Sequence, residues 1–446
     1  MSDRAGGSMD DARYWHRRVL RFAAPIILSN LTLPIVGAVD TAVAGHLPGP
    51  EYLGGVAVAA LIFSFVFWTF SFLRFSATGY VAQALGRADG GELRAIAARA
   101  GVVAVVIALA MLALQAPIGW LALVLVDASP AVTEQARIYF DVRIWSAPAT
   151  LGNYVILGCL IGIQRTGWAL VIQIVIASLN VVLNFLFVFG FGWDIAGLAG
   201  ATAVSEWVGL GLGILILLRV VRPYPGTWRI DGLLAWHRYR PILTLNGDLL
   251  IRTLSLNLAF AIFIALSARL GDVTLAANEV LVMFLSVAAF GLDGFANAAE
   301  AIVGEAYGRR DRRLLRTAVR VTMIWSAVTA VFASLVFGLF GVPIVNLMTD
   351  LDDVRQVAYA YLPYAVLMPL AAFWSFQLDG VFIGATRGAD MRNAMLLMLA
   401  LYTPIAVALW AVFDNHGLWI GFYVMYALRA LTLWVRYPAL VRGAET

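Results

Sequence analysis

The chain has 446 residues, of which 62% are hydrophobic and 13% charged, with a formal net charge of +4 and a mean hydropathy of +0.85. Soluble domains are about half apolar and about a quarter charged, so a chain this poor in charge has the bilayer as its solvent. That excludes a water-soluble enzyme and, despite a pI near 9.3, a nucleic-acid binder.

Other absences narrow the chemistry further. All 31 basic residues are Arg and the sequence has no Lys, so a Lys-dependent P-loop and Schiff-base or Ser-Lys chemistry are ruled out. ATP does not drive this protein directly. A lone Cys159 and four scattered histidines give no expectation of a zinc or haem centre. The N-terminal stretch MSDRAGGSMDDARYWHRR is polar and then amphipathic, so no signal peptide is expected.

A span needs about 20 apolar residues to cross the hydrocarbon core. In chain order, such runs fall near 19–46, 53–84, 95–125, 132–160, 166–190 and 196–221. A second set falls near 241–268, 274–305, 316–341, 354–384, 391–413 and 417–439. Long apolar runs without period-2 alternation predict helices rather than a β-barrel. The expected fold class is therefore an all-α membrane protein with twelve transmembrane helices.

Arginine placement orients them. One side takes Arg4, Arg13, Arg17, Arg18, Arg21, Arg87, Arg94, Arg99 and Arg165, then Arg222, Arg229, Arg238, Arg240, the run Arg309 to Arg316, Arg387, Arg392, Arg436 and Arg442. The other side has little beyond Arg269 and Arg355 and holds Asp127, Asp194, Asp272, Asp350, Asp352, Asp353 and Asp414. This is the positive-inside pattern, which predicts an inner-membrane protein with both termini cytoplasmic.

The halves repeat. VAQALGRAD at 81–89 matches VGEAYGRRD at 303–311, and IGIQR at 161–165 matches IGATR at 383–387, both at an offset of 222. Two six-helix lobes follow, 1–225 and 226–446. Six is even, so they are parallel repeats related by an axis along the membrane normal, a design in which lobes rock around a central site. The G-R-x-D and G-R-R-D turns read as structural helix ends.

Ionisable residues at membrane depth mark function. Asp40 lies late in the first span with no basic residue within two turns of its helix. Low dielectric disfavours a carboxylate's charge, so this group is expected to take up and release a proton or hold a cation. Pro25 and Pro34 on the same span allow a kink. Asn180 and Asn184 share one face of the fifth span, and Thr202 and Glu206 one face of the sixth. Their oxygens suit a hard cation such as Na⁺ or a proton relay, and interhelical hydrogen bonding serves equally as a reading. In the second half, Asp248 and Arg252 stand i,i+4 and would neutralise each other. Glu279, Asp293 and Glu300 on the eighth span and Asp379 on the tenth suggest, with this pair, an acidic interior that attracts organic cations. Arg74, Asp141 and Arg143 read as local pairs.

With these residues in view, the whole chain resembles the multidrug and toxic compound extrusion (MATE) family, and within it the DinF branch. The most specific pieces are PIILSNLTLPIVGAVDTAVAGHL, LDGFANAAEAIVGEAYG at 292–308, IGIQRTG at 161–167 and LNVVLN at 179–184. The resemblance implies a secondary carrier that exchanges H⁺ or Na⁺ for lipophilic, often cationic compounds, with two six-helix lobes in a V. It implies a coupling site at Asp40, Asn180, Asn184 and Thr202, and a first helix that bends at Pro25 when the aspartate is protonated. The family commonly has Asp where this chain has Asn184, which removes a negative charge from a sodium site and favours H⁺. The expectation is an efflux antiporter without cofactor, working as a monomer. Its rivals are a lipid-linked-precursor flippase, which needs a strongly cationic cavity, and an intramembrane enzyme, for which no nucleophile–base pair lies at depth.

Overall fold

The computed structural model describes residues 12–228 and 235–444, so Arg4 and Arg229 of the basic side lie outside the described residues. Almost every described residue is helical and none is in a strand. Among the described residues, eleven helical segments are long and apolar enough to cross a membrane. The last of them, Gly388–Gly443, spans 56 residues, or about 80 Å at 1.5 Å per residue, far more than a bilayer core. It is broken at Asp414, whose φ of 48° and ψ of −128° are non-helical. The break yields two spans and the expected total of twelve.

The helices are α1 (Ala12–Asn30), α2 (Thr32–Ala44), α3 (Pro50–Thr69), α4 (Phe72–Gly86), α5 (Gly90–Ala113), α6 (Gln115–Val126), α7 (Pro130–Arg143) and α8 (Ala147–Gly162). They continue as α9 (Thr166–Phe185), α10 (Asp194–Val221), α11 (Arg240–Ala268), α12 (Asp272–Gly308), α13 (Arg312–Met348), α14 (Asp352–Gly384) and α15 (Gly388–Gly443). Several sequence spans are thus helix pairs. The first is α1 and α2, interrupted at Leu31. Pro34 has no N–H to bond the Asn30 carbonyl one turn back, which accounts for the interruption. Pro25 sits inside α1, which continues through it.

The repeat is written into the backbone. Seven described non-glycine residues have positive φ, and six form three pairs: Ala88 with Arg310, Gln164 with Thr386, and Asp194 with Asp414. The first two pairs keep the sequence offset of 222. In each, the chain closes the helix with a backbone bond to the carbonyl five residues back. Asp89 N donates to Ala84 O and Asp311 N to Ala306 O, both at 3.0 Å. Arg165 N donates to Leu160 O at 2.8 Å and Arg387 N to Phe382 O at 3.0 Å. These are left-handed helix C-caps that satisfy terminal carbonyls. Asp89 and Asp311 then cap the next helices through their side chains. The expected structural role of the G-R-x-D turns is what the backbone displays.

Packing repeats as well. Gly158 and Gly162 on α8 face the Arg74 and Thr78 carbonyls of α4, and Gly380 and Gly384 on α14 face those of Ala296 and Glu300 on α12. A Cβ on any of the four would fall under 3.0 Å from the facing oxygen. Small residues spaced by four let helix backbones approach in lipid, where no hydrophobic drive separates helix from tail.

The contacts group the chain into two compact units, Leu28–Ile242 and Met1–Ile27 with Leu243–Thr446. The repeat boundary expected near 225/226 lies inside the first of these, because the residues after α10 stay tied to it. Arg94 donates to the Val221 carbonyl at 2.7 Å and that of Tyr224 at 2.9 Å, and Arg99 to that of Arg238 at 3.3 Å. The other boundary falls within α1, two residues after Pro25. The core of the second unit is aromatic, with Phe263, Phe284, Tyr402, Trp419, Phe422 and Tyr426 all buried.

Candidate functional site

In the unit Leu28–Ile242, the helix break before α2 sets Asp40 on a helix that packs against α9. Asn184 Nδ2 donates to Asp40 Oδ1 at 2.6 Å and to Asn180 Oδ1 at 3.1 Å. Asn180 Nδ2 donates to Thr202 Oγ1 at 2.9 Å, and the Thr202 hydroxyl donates to the Leu198 carbonyl at 3.1 Å. Four residues separated by up to 162 positions in sequence thus form one chain of hydrogen bonds. Asn180, Asn184 and Thr202 are buried and Asp40 is half-buried. The amide orientations follow from chemistry: the Asn184 atom between two acceptor oxygens has to be its NH₂ group. A single π-helical turn, Leu186–Gly190, follows Asn184 directly, a local widening that recurs at functional sites.

The fifth expected member, Glu206, lies one turn beyond Thr202 and is held by a different partner. Asn153 Nδ2 donates to Glu206 Oε2 at 2.8 Å and to its backbone carbonyl at 3.0 Å. Arg143, which sequence reading left as a local pair, lies in the same region and ion-pairs with neither carboxylate among the described residues. Its charge acts on Asp40, Glu206, Tyr139 and Tyr154. Its guanidinium lies 5.5 Å from the Phe63 ring centroid and 6.0 Å from that of Phe67. Arg143 Nη1 reaches Tyr139 Oη at 3.5 Å. Asp141 instead faces Arg137 at 3.8 Å, both exposed, and Arg74 lies over Phe75 at 4.4 Å.

As a sodium site this cluster fits poorly. A hard cation needs oxygens converging on one point, whereas here N–H groups meet the oxygens along the chain. Among the described residues no three His, Cys, Asp or Glu side chains converge as a metal site.

The second unit corrects two expectations. Asp248 does not pair with Arg252; it accepts from Arg392 Nη1 at 2.6 Å. Arg252 instead reaches Asp379, and Arg429 joins it there, both guanidiniums on the same carboxylate oxygen. All three are buried, Asp379 to 4% exposure. Arg429 lies over the rings of Phe376 at 5.3 Å and Tyr426 at 5.9 Å, and Asp293 adds its charge to the group. The interior here is therefore a balanced ion cluster rather than an acidic cavity, because two Arg side chains answer the carboxylates. Glu300 is buried on α12, and Glu279 is exposed, so it does not join the cluster. Arg429 was missed, and Arg143 was read only as a local pair. Both lie within spans, but their partners come from other helices, which spacing along one helix does not reveal.

Comparison with known proteins gives a consistent result. A family model described as MatE matches residues 25–186 and 249–412. The chain is 40% identical to DNA damage-inducible protein F of Escherichia coli strain K12, over 95% of this chain and 91% of that protein. It is 28% identical to a probable multidrug resistance protein NorM of Rhizobium meliloti, over 96% of this chain and 94% of that protein. Among solved structures, the Vibrio cholerae MATE transporter VcmN in its bent form aligns with a TM-score of 0.82 at 20% identity, covering 97% of this chain and 98% of that one.

Proposed function

This chain belongs to the MatE family, and on that premise we propose that it is a bacterial inner-membrane antiporter exporting lipophilic, cationic compounds in exchange for protons. Family membership makes it a membrane transporter of small organic compounds, powered by an ion gradient without a cofactor, and not an enzyme. The multidrug character is drawn from the names of relatives such as the NorM protein. The arginine bias supports cytoplasmic termini. Twelve spans in one chain support a monomer as the working unit.

One observation carries the choice of proton. Asp40 faces Asn184, not a second carboxylate, and takes an N–H from it at 2.6 Å. With one carboxyl in place of two, the site loses the negative charge a sodium ion needs. Protonation remains available, since a carboxyl in low dielectric gains most by losing its charge.

In this mechanism a deprotonated Asp40 holds the Asn184–Asn180–Thr202 chain and leaves negative charge for a cationic substrate. A proton arriving from outside neutralises Asp40 and weakens its hold on Asn184. The short helix α2, hinged at Leu31 beside Pro34, then repacks and the substrate leaves. Losing one charge-assisted hydrogen bond of about 1.5–3 kcal/mol is enough to invert a two-state balance of that size. The flippase reading finds less support, because Asp379 and Asp293 offset Arg252 and Arg429.

The test is efflux of a fluorescent organic cation from proteoliposomes under an imposed pH gradient without sodium. Wild type is expected to transport, and Asp40→Asn to lose transport while still folding and inserting. Transport by wild type only when sodium is added would overturn proton coupling.

A further inference from the structure

We propose that the start of α9 and the end of α10 form a headgroup site for an anionic phospholipid of the cytoplasmic leaflet, with Arg165 and Arg219 holding its phosphate. The site lies apart from the Asp40 cluster and does not depend on how transport is coupled.

It is built where two consecutive spans run side by side in opposite directions. Gln164 turns the chain with a φ of 63°, Arg165 precedes the first turn of α9, and Arg219 stands in the last turn of α10. Between them lies a cavity of about 180 Å³ lined by the two arginines, Trp168, Ile216, Val220 and Pro223. Sites for drug-sized ligands begin at about 300 Å³, so this one suits a group the size of a phosphate with its glycerol. Both arginines are exposed. Among the described residues neither side chain takes part in an ion pair or a hydrogen bond, and none of the lining residues is acidic. Two guanidiniums lining one small space match a phosphate, whose oxygens accept from both.

The repeat supplies an internal comparison. At the offset of 222, Arg165 corresponds to Arg387 and Trp168 to Asp390. In the second half the arginine is answered within the protein. Arg387 Nε lies 3.9 Å from Asp390, and its Nη2 donates to the Ala439 carbonyl at 3.3 Å. In the first half an indole stands where that carboxylate would be, so an anion that answers Arg165 comes from outside the chain.

What makes the anion a lipid is the surface beside the charge. Trp168 is 44% exposed, and Val171 and Ile174 continue an exposed apolar row from it along α9. Leu218 and Leu215 do the same from Arg219 along α10. Residues three apart share one face of a helix, so these rows form a track for an acyl chain leading from the cavity into the span. Tryptophan favours the headgroup level, and basic pockets between helices on the cytoplasmic side bind acidic headgroups. The arginine bias assigns both helix ends to that side. A soluble phosphate ester would use the arginines and leave the apolar rows bare.

The test is native mass spectrometry of the purified full-length protein, titrated with phosphatidylglycerol or with phosphatidylcholine of the same acyl chains. Wild type is expected to prefer phosphatidylglycerol. Each arginine near an anionic headgroup contributes about fivefold in affinity, so Arg165→Gln and Arg219→Gln are each expected to bind it about fivefold more weakly and the double variant about 25-fold. A matched double variant, Arg87→Gln with Arg313→Gln, removes two exposed arginines of the same side that do not line the cavity, and it is expected to bind as wild type does. All four positions are exposed, so the variants are expected to fold. Glycerol 3-phosphate, which carries the charge without the chains, is not expected to compete at equal concentration. Equal binding of the two lipids by wild type overturns the inference, as does undiminished phosphatidylglycerol binding by the cavity double variant. An equal loss in the matched variant would reduce the preference to overall charge, and competition by glycerol 3-phosphate would make the ligand a soluble ester; either result also overturns the lipid site. Efflux is not the readout, so failure here leaves the coupling role of Asp40 standing.

Discussion

Two guanidiniums on one buried carboxylate, as at Asp379, form a group in which no member can be lost cheaply. Burying charge is costly, and the cost is met only while every partner is present. Removing Asp379 leaves Arg252 and Arg429, both under one-tenth exposed, without the carboxylate they share. Asp379→Asn is therefore expected to lower stability by about 3–5 kcal/mol, read as a loss of monodisperse protein and a fall in the unfolding midpoint. Asp40 is the contrasting case. Its hydrogen bond comes from a neutral amide, so Asp40→Asn is expected to leave the midpoint nearly unchanged while ending proton-driven efflux. An equal loss of stability in both variants would mean that Asp40, too, is structural. The two carboxylates differ in what faces them, a pair of fixed cations or an amide, and that difference separates a strut from a switch.

At the scale of the helix, two devices do most to position the site. The first is the interruption at Leu31, which lets α2 take its own direction and turns Asp40 toward α9. The second is the pair of close helix crossings, α4 with α8 and α12 with α14, seated on Gly158, Gly162, Gly380 and Gly384. Here an added methyl meets a backbone carbonyl that cannot swing aside. Gly380→Ala is expected to cost about 1–3 kcal/mol, the penalty of overpacking a tight interface. Gly211→Ala, where nothing lies within 4 Å of the new Cβ, is expected to be neutral or slightly stabilising through its better helix propensity. Thermal unfolding of the two variants side by side checks this, and a Gly380→Ala protein as stable as wild type would show that the crossing has slack.

At the scale of the whole molecule, the arginine bias and the matched helix caps make one topological statement. Ala88 and Arg310 close corresponding helices in the two halves, so they are expected on the same face of the membrane, together with the termini. Thr349, which follows α13, is expected on the other. The single cysteine, Cys159, is buried, so positions can be labelled after Cys159→Ser with little background. Ala88→Cys and Arg310→Cys are expected to react with a membrane-impermeant maleimide only in inside-out vesicles, and Thr349→Cys only in right-side-out ones. Labelling of Ala88→Cys and Arg310→Cys from opposite faces would contradict a parallel repeat and with it the proposed orientation.

Composition and hydropathy by themselves determined the solvent, the helical class and the twelve spans, because a helix in lipid must be apolar along its length and satisfy its own backbone. The offset of 222 is legible for a similar reason: the cap residues that end a helix are chosen locally. Asp40 was legible because one carboxyl in an apolar run has no cheap explanation, and Asn180, Asn184 and Thr202 because they share helix faces. The resemblance to a known family then gathered these residues into one site. Tertiary structure alone decided the partners. Asp248 turned from Arg252 to Arg392, Arg252 and Arg429 converged on Asp379, and Asn184 and Asn180 linked Asp40 to Thr202. Spacing along one helix fixes which side chains share a face, but an ion pair in a membrane forms across helices, and which helices meet is settled by packing of the whole chain.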